Sequence, residues 1–252
     1  MDALLPTNSI PALPDGAAQV WWAVPAQARV AHDALLSPDD LERRARLRRA
    51  DDRDRLTVAY ALARLLLARH LGAVAEDIRF ERTCLHCGGA HGKPRVAGDA
   101  QGLRFSLSHS GDRVALGVLR GAELGVDVEQ LKPDLDLDAL AGATLAGDEA
   151  AELARVGAAD RTLAFLTYWT RKEAVLKATG EGLQVPLKHL TVSGLGTPPE
   201  LRAWTGRPEA PAQFRLYDLA AGDGHLASLA TVDHPAVVVH EFDAGAVLSA
   251  VH

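Results

Sequence analysis

Between Leu103 and Glu129 the chain runs through three short apolar–polar alternations separated by glycine-containing breaks. They are Phe105–Ser110, Val114–Leu119 and Leu124–Glu129, with breaks at Gly111-Asp112 and Gly121-Ala122-Glu123. Period-two alternation marks strands, and breaks this short leave no room for a crossover helix. The stretch is therefore predicted to be an antiparallel meander. Helical patterns lie before and after it rather than between its strands, which favours an α+β fold over a parallel α/β sheet.

The rest of the chain follows that lead. Gln19–Val24 reads as a first strand closed by Pro25. Ser37-Pro38-Asp39-Asp40 is a helix start, with a capping serine, proline at the first helical position and acids in the first turn. Leu56 to His70 has helical periodicity and is predicted to end near Gly72. Ile78–Arg82 alternates as a short strand. A helical region spans roughly 137–156, weakened at Gly142 and Gly147, and a second helix covers 160–178. Residues 181–186 read as an extended loop, followed by strands at His189–Val192, Phe214–Asp218, His225–Val232 and Ala236–Phe242. Each half thus places helices before antiparallel strands. The expected division is 1–122 and 123–252, two similar α+β halves related as distant copies by a pseudo-twofold axis.

Composition narrows the function. The 252-residue chain carries a net charge of −6, with 48% hydrophobic and 24% charged residues. These values describe a globular protein and argue against a general nucleic-acid binder. No apolar run approaches the ~20 residues that span a bilayer, so no membrane partner is expected. The Pro-rich start, with Asp2, Pro6, Pro11 and Pro14, lacks the pattern of a signal peptide, and residues 1–17 are expected to be only partly ordered. Two cysteines three apart do not suit a structural crosslink, and a cytoplasmic location is the consistent choice.

Chemistry gathers in a few places. On the third meander strand, Val126 and Val128 share one face while Asp127 and Glu129 share the other. Adjacent carboxylates repel, and strands disfavour Asp, so the pair is either an exposed sheet end or a site for a hard divalent cation such as Mg²⁺. In Trp169–Gly180, helical spacing puts Leu166, Trp169, Thr170, Glu173 and Lys177 on one face, with Gly180 placed to close the helix. Alone, Glu173 and Lys177 would be an ordinary surface pair. Seven arginines between Arg43 and Arg55 form either a solvated Arg–Asp face or a phosphate site. Cys84-Leu85-His86-Cys87-Gly88-Gly89-Ala90-His91 invites a zinc reading, but C-x-x-C with His91 supplies three ligands where a structural site wants four.

Taken in order, Phe105-Ser-Leu-Ser-His-Ser110, Gly125-Val-Asp-Val-Glu129 and Trp169-x-x-Lys-Glu-Ala-x-x-Lys-x-x-Gly180 resemble the Sfp-type 4′-phosphopantetheinyl transferases. Lys93-Pro94 and the Ser37-Pro38 helix add to the match, which spans roughly residues 37–190. The resemblance implies transfer of the phosphopantetheine arm of coenzyme A to a serine of an apo acyl or peptidyl carrier protein, with release of 3′,5′-ADP. The carrier would belong to fatty-acid, polyketide or nonribosomal-peptide synthesis, the last two being routes to antibiotics. It also implies a monomer with Mg²⁺ held by Asp127, Glu129 and Glu173. Lys177 would meet the phosphates and the departing 3′,5′-ADP, and Glu173 is the implied base for the carrier serine, with a metal-bound water as the alternative. Ser108 and His109 are implied at the 3′-phosphate and nucleotide, Lys93 and Pro94 at the adenine, and Arg43 and Arg55 at the 3′-phosphate. Ser106 stands where the family often has Asn, a change expected to matter little. Two rivals remain: another Mg²⁺-dependent enzyme acting on a nucleotide pyrophosphate, and a non-catalytic binding module, with or without zinc.

Overall fold

A computed structural model describes residues 10–84, 86–90, 92–98, 100–132, 135–233 and 235–251. In chain order the elements are β1 (Ala17–Ala23), α1 (Pro38–Arg46), α2 (Ala50–Leu71), β2 (Phe80–Glu81), β3 (Arg95–Val96), β4 (Leu103–Ser110), β5 (Arg113–Arg120) and β6 (Glu123–Gln130). There follow α3 (Leu137–Thr144), α4 (Gly147–Leu153), α5 (Arg161–Thr179), β7 (Leu190–Val192), β8 (Leu201–Trp204), α6 (Ala210–Gln213), β9 (Phe214–Asp218), β10 (His225–Val232), β11 (Val238–Asp243) and α7 (Gly245–Ser249). The fold is α+β.

Local chemistry explains the helix ends. The Asp40 N–H donates to Ser37 Oγ (3.2 Å), while the Asp40 carboxylate accepts from the Ser37 N–H, closing a capping box at the start of α1. Asp40 is also paired with Arg64 of α2 at 2.6 Å, both buried, so the cap pins one helix to the other. Gly72 and Gly180 close α2 and α5 in the left-handed region, at φ of 66° and 79°. The expected helix over 137–156 breaks at Leu145-Ala146, between α3 and α4.

Two sheets carry the architecture. The first runs β11-β1-β5-β4 and the second β6-β10-β9. Strands β4 and β5 pair antiparallel across the Gly111 turn as the alternation predicts. Strand β6 differs from the predicted meander: it leaves β5 after Gly121 and pairs with β10 instead. Its even residues Leu124, Val126 and Val128 pack against Ala18, Val20, Ala115 and Leu119, so the two sheets share an apolar layer. On its outer side the first sheet holds α2, with Leu62 and Leu66 against Phe105 and Leu116. A third cluster unites α5, through Phe165 and Val175, with β7 and β9.

A split after residue 122 does not describe the whole chain. Strand β11 returns to the first sheet and lies parallel to β1, with Phe242 opposite Trp21 and their rings stacked at 4.8 Å. Val247 and Leu248 of α7 enter the α2 cluster. Burial of these apolar side chains at the far end of the chain ties the last residues to the first half.

Candidate active site

Two period-two patterns meet where the sheets join. On β6, Gly125, Asp127 and Glu129 face α5. Gly125 has to be glycine, because a Cβ there would stand 2.1 Å from Ala174 O and 2.3 Å from Ala178 N of the helix. That close approach brings Glu173 and Lys177 over the two strand carboxylates. On β4, Ser106, Ser108 and Ser110 turn toward β6 and accept its backbone N–H groups: Val126 to Ser106 (3.0 Å), Val128 to Ser108 (3.3 Å) and Gln130 to Ser110 (3.2 Å). Serine side chains thus do for β6 what a strand backbone would do in a ladder. Ser106 belongs to this row through its hydroxyl oxygen.

Helix α5 is held from behind. Arg171 donates to both carboxylate oxygens of Asp218 (3.1 and 2.7 Å), to the Ser193 and Gly194 carbonyls and to Thr197 O. Lys172 is fully buried against an equally buried Glu149, and its ammonium also donates to Thr144 O (2.7 Å) and Leu187 O (3.2 Å). Glu149 in turn accepts from the Ala146 and Val192 N–H groups. These anchors leave the opposite face of the helix to the cleft.

A cleft of about 860 Å³ opens along that face. Of the residues singled out from the sequence, Arg43, Lys93, Pro94, Ser108, His109, Asp127, Glu129, Glu173 and Lys177 line it. Arg55 does not; its guanidinium donates to Gly111 O and pairs with Asp52. Lys93 lines the wall, but its ammonium is occupied by Glu123 (2.8 Å), Leu124 O (2.8 Å) and Ala178 O (3.1 Å), binding the start of β6 to the end of α5. Ser108 donates to Asp127 Oδ1 (2.9 Å) and accepts from Lys177 (2.7 Å), so it faces the carboxylates, whereas its neighbour His109 sits at the rim.

The electrostatics are unbalanced. Lys177 Nζ lies 2.6 Å from Asp127 Oδ1, while Asp127 Oδ2 is buried with no hydrogen-bond partner among the described residues. Burial, then the Asp127 charge, pushes Glu173 up to about 7 against the pull of Lys177, with Glu129 adding to the rise. Burial and Asp127 likewise raise Glu129, which the Ser110 hydroxyl partly offsets. Crowding, then the Lys177 and Arg55 cations, holds the His109 ring below its usual range. Three carboxylates therefore crowd Lys177, which bonds Asp127, while Lys132 adds a weaker pull on Glu129. Among the described residues no three His, Cys, Asp or Glu side chains stand close enough to be a finished metal cage.

Sequence reasoning missed Tyr60 and Arg82, which also line the cleft, with the Arg82 guanidinium 5.2 Å from the Tyr60 ring centroid. No motif marks them, since each sits in an ordinary helix or strand pattern. Cys84 is buried in the cleft wall, and the N–H groups of Cys87 and His86 draw its thiol below the usual range. Cys84 and Cys87 are not joined in a disulfide, and His91, the third zinc candidate, lies outside the described residues.

Known proteins give this acid-lined cleft a class. The profile of the 4′-phosphopantetheinyl transferase superfamily (ACPS) matches residues 123–230. The 4′-phosphopantetheinyl transferase HetI of Nostoc sp. is 32% identical over 200 residues, 78% of this chain and 78% of that protein. A putative 4′-phosphopantetheinyl transferase of Synechocystis sp. is 32% identical over 153 residues, 60% of each chain. The 4′-phosphopantetheinyl transferase Sfp of Bacillus subtilis is 28% identical over 159 residues, 63% of this chain and 66% of that one. These likenesses define a transferase. The chain belongs to the 4′-phosphopantetheinyl transferase family. Among the described residues no helix is long and apolar enough to cross a membrane.

Proposed function

We propose that this protein moves the 4′-phosphopantetheine group of coenzyme A onto a serine of an apo acyl or peptidyl carrier protein and releases 3′,5′-ADP. The observation that carries the reading is the convergence of Asp127, Glu129, Glu173 and Lys177 in one cleft of a chain from this family. The serine oxygen forms a bond to the pantetheine-bearing phosphorus, the bond from that phosphorus to the bridging oxygen breaks, and the electron pair leaves with 3′,5′-ADP.

The residues fit a magnesium ion. Asp127 Oδ2 is a buried acceptor with no donor among the described residues, and the groups beside it offer hard carboxylate oxygens. Asp127, Glu129 and Glu173 would hold the ion, which when bound would neutralise charge on the pyrophosphate oxygens. Lys177 supplies a second cation for the leaving phosphate. Glu173 is the base for the serine proton in this reading; burial and Asp127 raise it to about 7 in the metal-free cleft, and ligation to the ion would lower that basicity. Arg43, with Ser108, His109 and Pro94, lines the walls that would receive the nucleotide. The ammonium of Lys93 is committed to the frame, so its part in binding is to fix the wall. Arg55 acts on the nucleotide side through its charge on His109 and not by lining the cleft. In this reading each half of the chain supplies one side of the cleft, and the protein works as a cytoplasmic monomer on carriers of fatty-acid, polyketide or nonribosomal-peptide synthesis.

Incubation with coenzyme A, Mg²⁺ and a varied panel of apo carriers, followed by intact mass measurement, tests the proposal. The expected result is a gain of one phosphopantetheine on at least one carrier. No gain across the panel sinks the reading.

A further inference from the structure

The serine row of β4 runs beside the acid row of β6 with constant register: Ser106 beside Gly125, Ser108 beside Asp127, Ser110 beside Glu129. All three serines accept a β6 N–H. Two of them do a second thing. The Ser108 hydroxyl donates to Asp127 Oδ1 (2.9 Å) and the Ser110 hydroxyl donates to Glu129 Oε2 (2.7 Å). Ser106 has only glycine opposite it and meets no carboxylate among the described residues.

We infer that Ser110 is a positioning residue for the metal site: its hydroxyl fixes the Glu129 carboxylate while its oxygen anchors the β6 backbone that carries it. The inference rests on the reading above that Asp127 and Glu129 hold the ion. A glutamate has three rotatable bonds, and a long carboxylate free to swing loses entropy when it is fixed as a ligand. Ser110 removes that freedom beforehand, from a strand in the opposite sheet. Hydrogen bonds to ligating carboxylates of this kind are worth roughly 10- to 100-fold in metal affinity. The same row makes the site sensitive to how the two sheets meet, since any slip between β4 and β6 moves backbone and carboxylate together.

Ser106 is an internal control. Replacing either serine by alanine removes one N–H acceptor, but only S110A removes a hydroxyl from a carboxylate. Mn²⁺, a paramagnetic stand-in for Mg²⁺, is titrated into wild type, S106A, S110A and D127A, with bound metal read by electron paramagnetic resonance and melting temperature measured on the same samples. S110A is expected to weaken Mn²⁺ roughly 10- to 100-fold. S106A is expected to leave metal affinity near wild type while lowering the melting temperature by about 2–4 °C. S110T and S110V, which differ by one hydroxyl at nearly constant shape, repeat the comparison, and S110T is expected to restore binding. Equal losses in S106A and S110A, equal binding by S110T and S110V, or wild-type binding in S110A overturns the inference. Wild-type binding in D127A instead removes the metal reading beneath it, so the two failures are distinguishable.

Discussion

The two faces of α5 handle charge in opposite ways. On the back, Arg171 and Lys172 are buried, and their donors meet Asp218, Glu149 and carbonyl oxygens. On the front, Glu173 and, one turn further, Lys177 face Asp127 and Glu129; the Lys177 ammonium bonds Asp127, and Glu173 and Glu129 feel only its charge. Unbalanced charge destabilises a fold unless the surrounding structure overrides it. The back face supplies that override. The same short motif, Arg171-Lys172-Glu173, thus holds both the clamp and the frustrated group that the clamp keeps in place.

The largest effect is expected from breaking the front face. E173A or D127A should reduce transfer to a carrier by about 10²–10⁴-fold, the range for losing a group that handles protons or charge in the reacting complex. Circular dichroism should remain native in both; E173A should melt at or slightly above wild type, whereas D127A also loses the Lys177 and Ser108 hydrogen bonds and should melt somewhat lower. Transfer within a few-fold of wild type in both variants would remove the assigned roles.

Breaking the back face should do the reverse. K172M leaves the Glu149 carboxylate buried without its cation and is expected to cost about 3–5 kcal/mol in denaturant unfolding. Its transfer rate well below the melting transition should fall far less than that of E173A. The double variant K172M/E149Q removes both charges while keeping an acceptor for the Ala146 and Val192 N–H groups, and should recover part of the loss. If K172M alone proves as stable as wild type, the clamp is not what holds α5.

These contrasts mark what the sequence could disclose. Alternation alone identified β4, β5 and the faces of β6, and the glycines at 72 and 180 marked where the long helices close. The three carboxylates and Lys177 were legible as ordered motifs, and the structure brings them to one cleft. The partner of β6 was not legible, because a two-residue turn after Gly121 fits a meander equally well and the choice of β10 depends on packing a hundred residues away. The return of β11 to β1 was hidden for the same reason. Arg43 and Arg55 looked equivalent within seven arginines, yet only the fold places one on the cleft and turns the other to Gly111. Lys93 carried a cation suited to a nucleotide, and nothing local revealed that Glu123 and two carbonyls already claim it.

The smallest effect concerns two carboxylates whose environments push them in opposite directions. Glu173 belongs to the unbalanced face and titrates near 7, above the usual carboxylate range. Its folded form holds a proton that the unfolded chain has lost, so stability falls as pH rises from about 4.5 to about 7. Glu123 belongs to the balanced class: although burial opposes it, Lys93 and Arg95 hold it down to about 2. Its stabilisation is full above about 4.5 and is lost as pH falls toward 2. Metal-free E173Q should therefore gain on wild type between pH 5 and 8, by on the order of 1 kcal/mol after allowance for partial exposure. E123Q should lose on wild type at neutral pH and converge with it near pH 2. Denaturant melts at stepped pH measure both differences. Parallel curves for E173Q and wild type would show that burial and the neighbouring carboxylates do not raise Glu173 as this geometry requires. Added Mg²⁺ should shrink the E173Q advantage, because a cation among the carboxylates restores to the front face the balance that the back face already has.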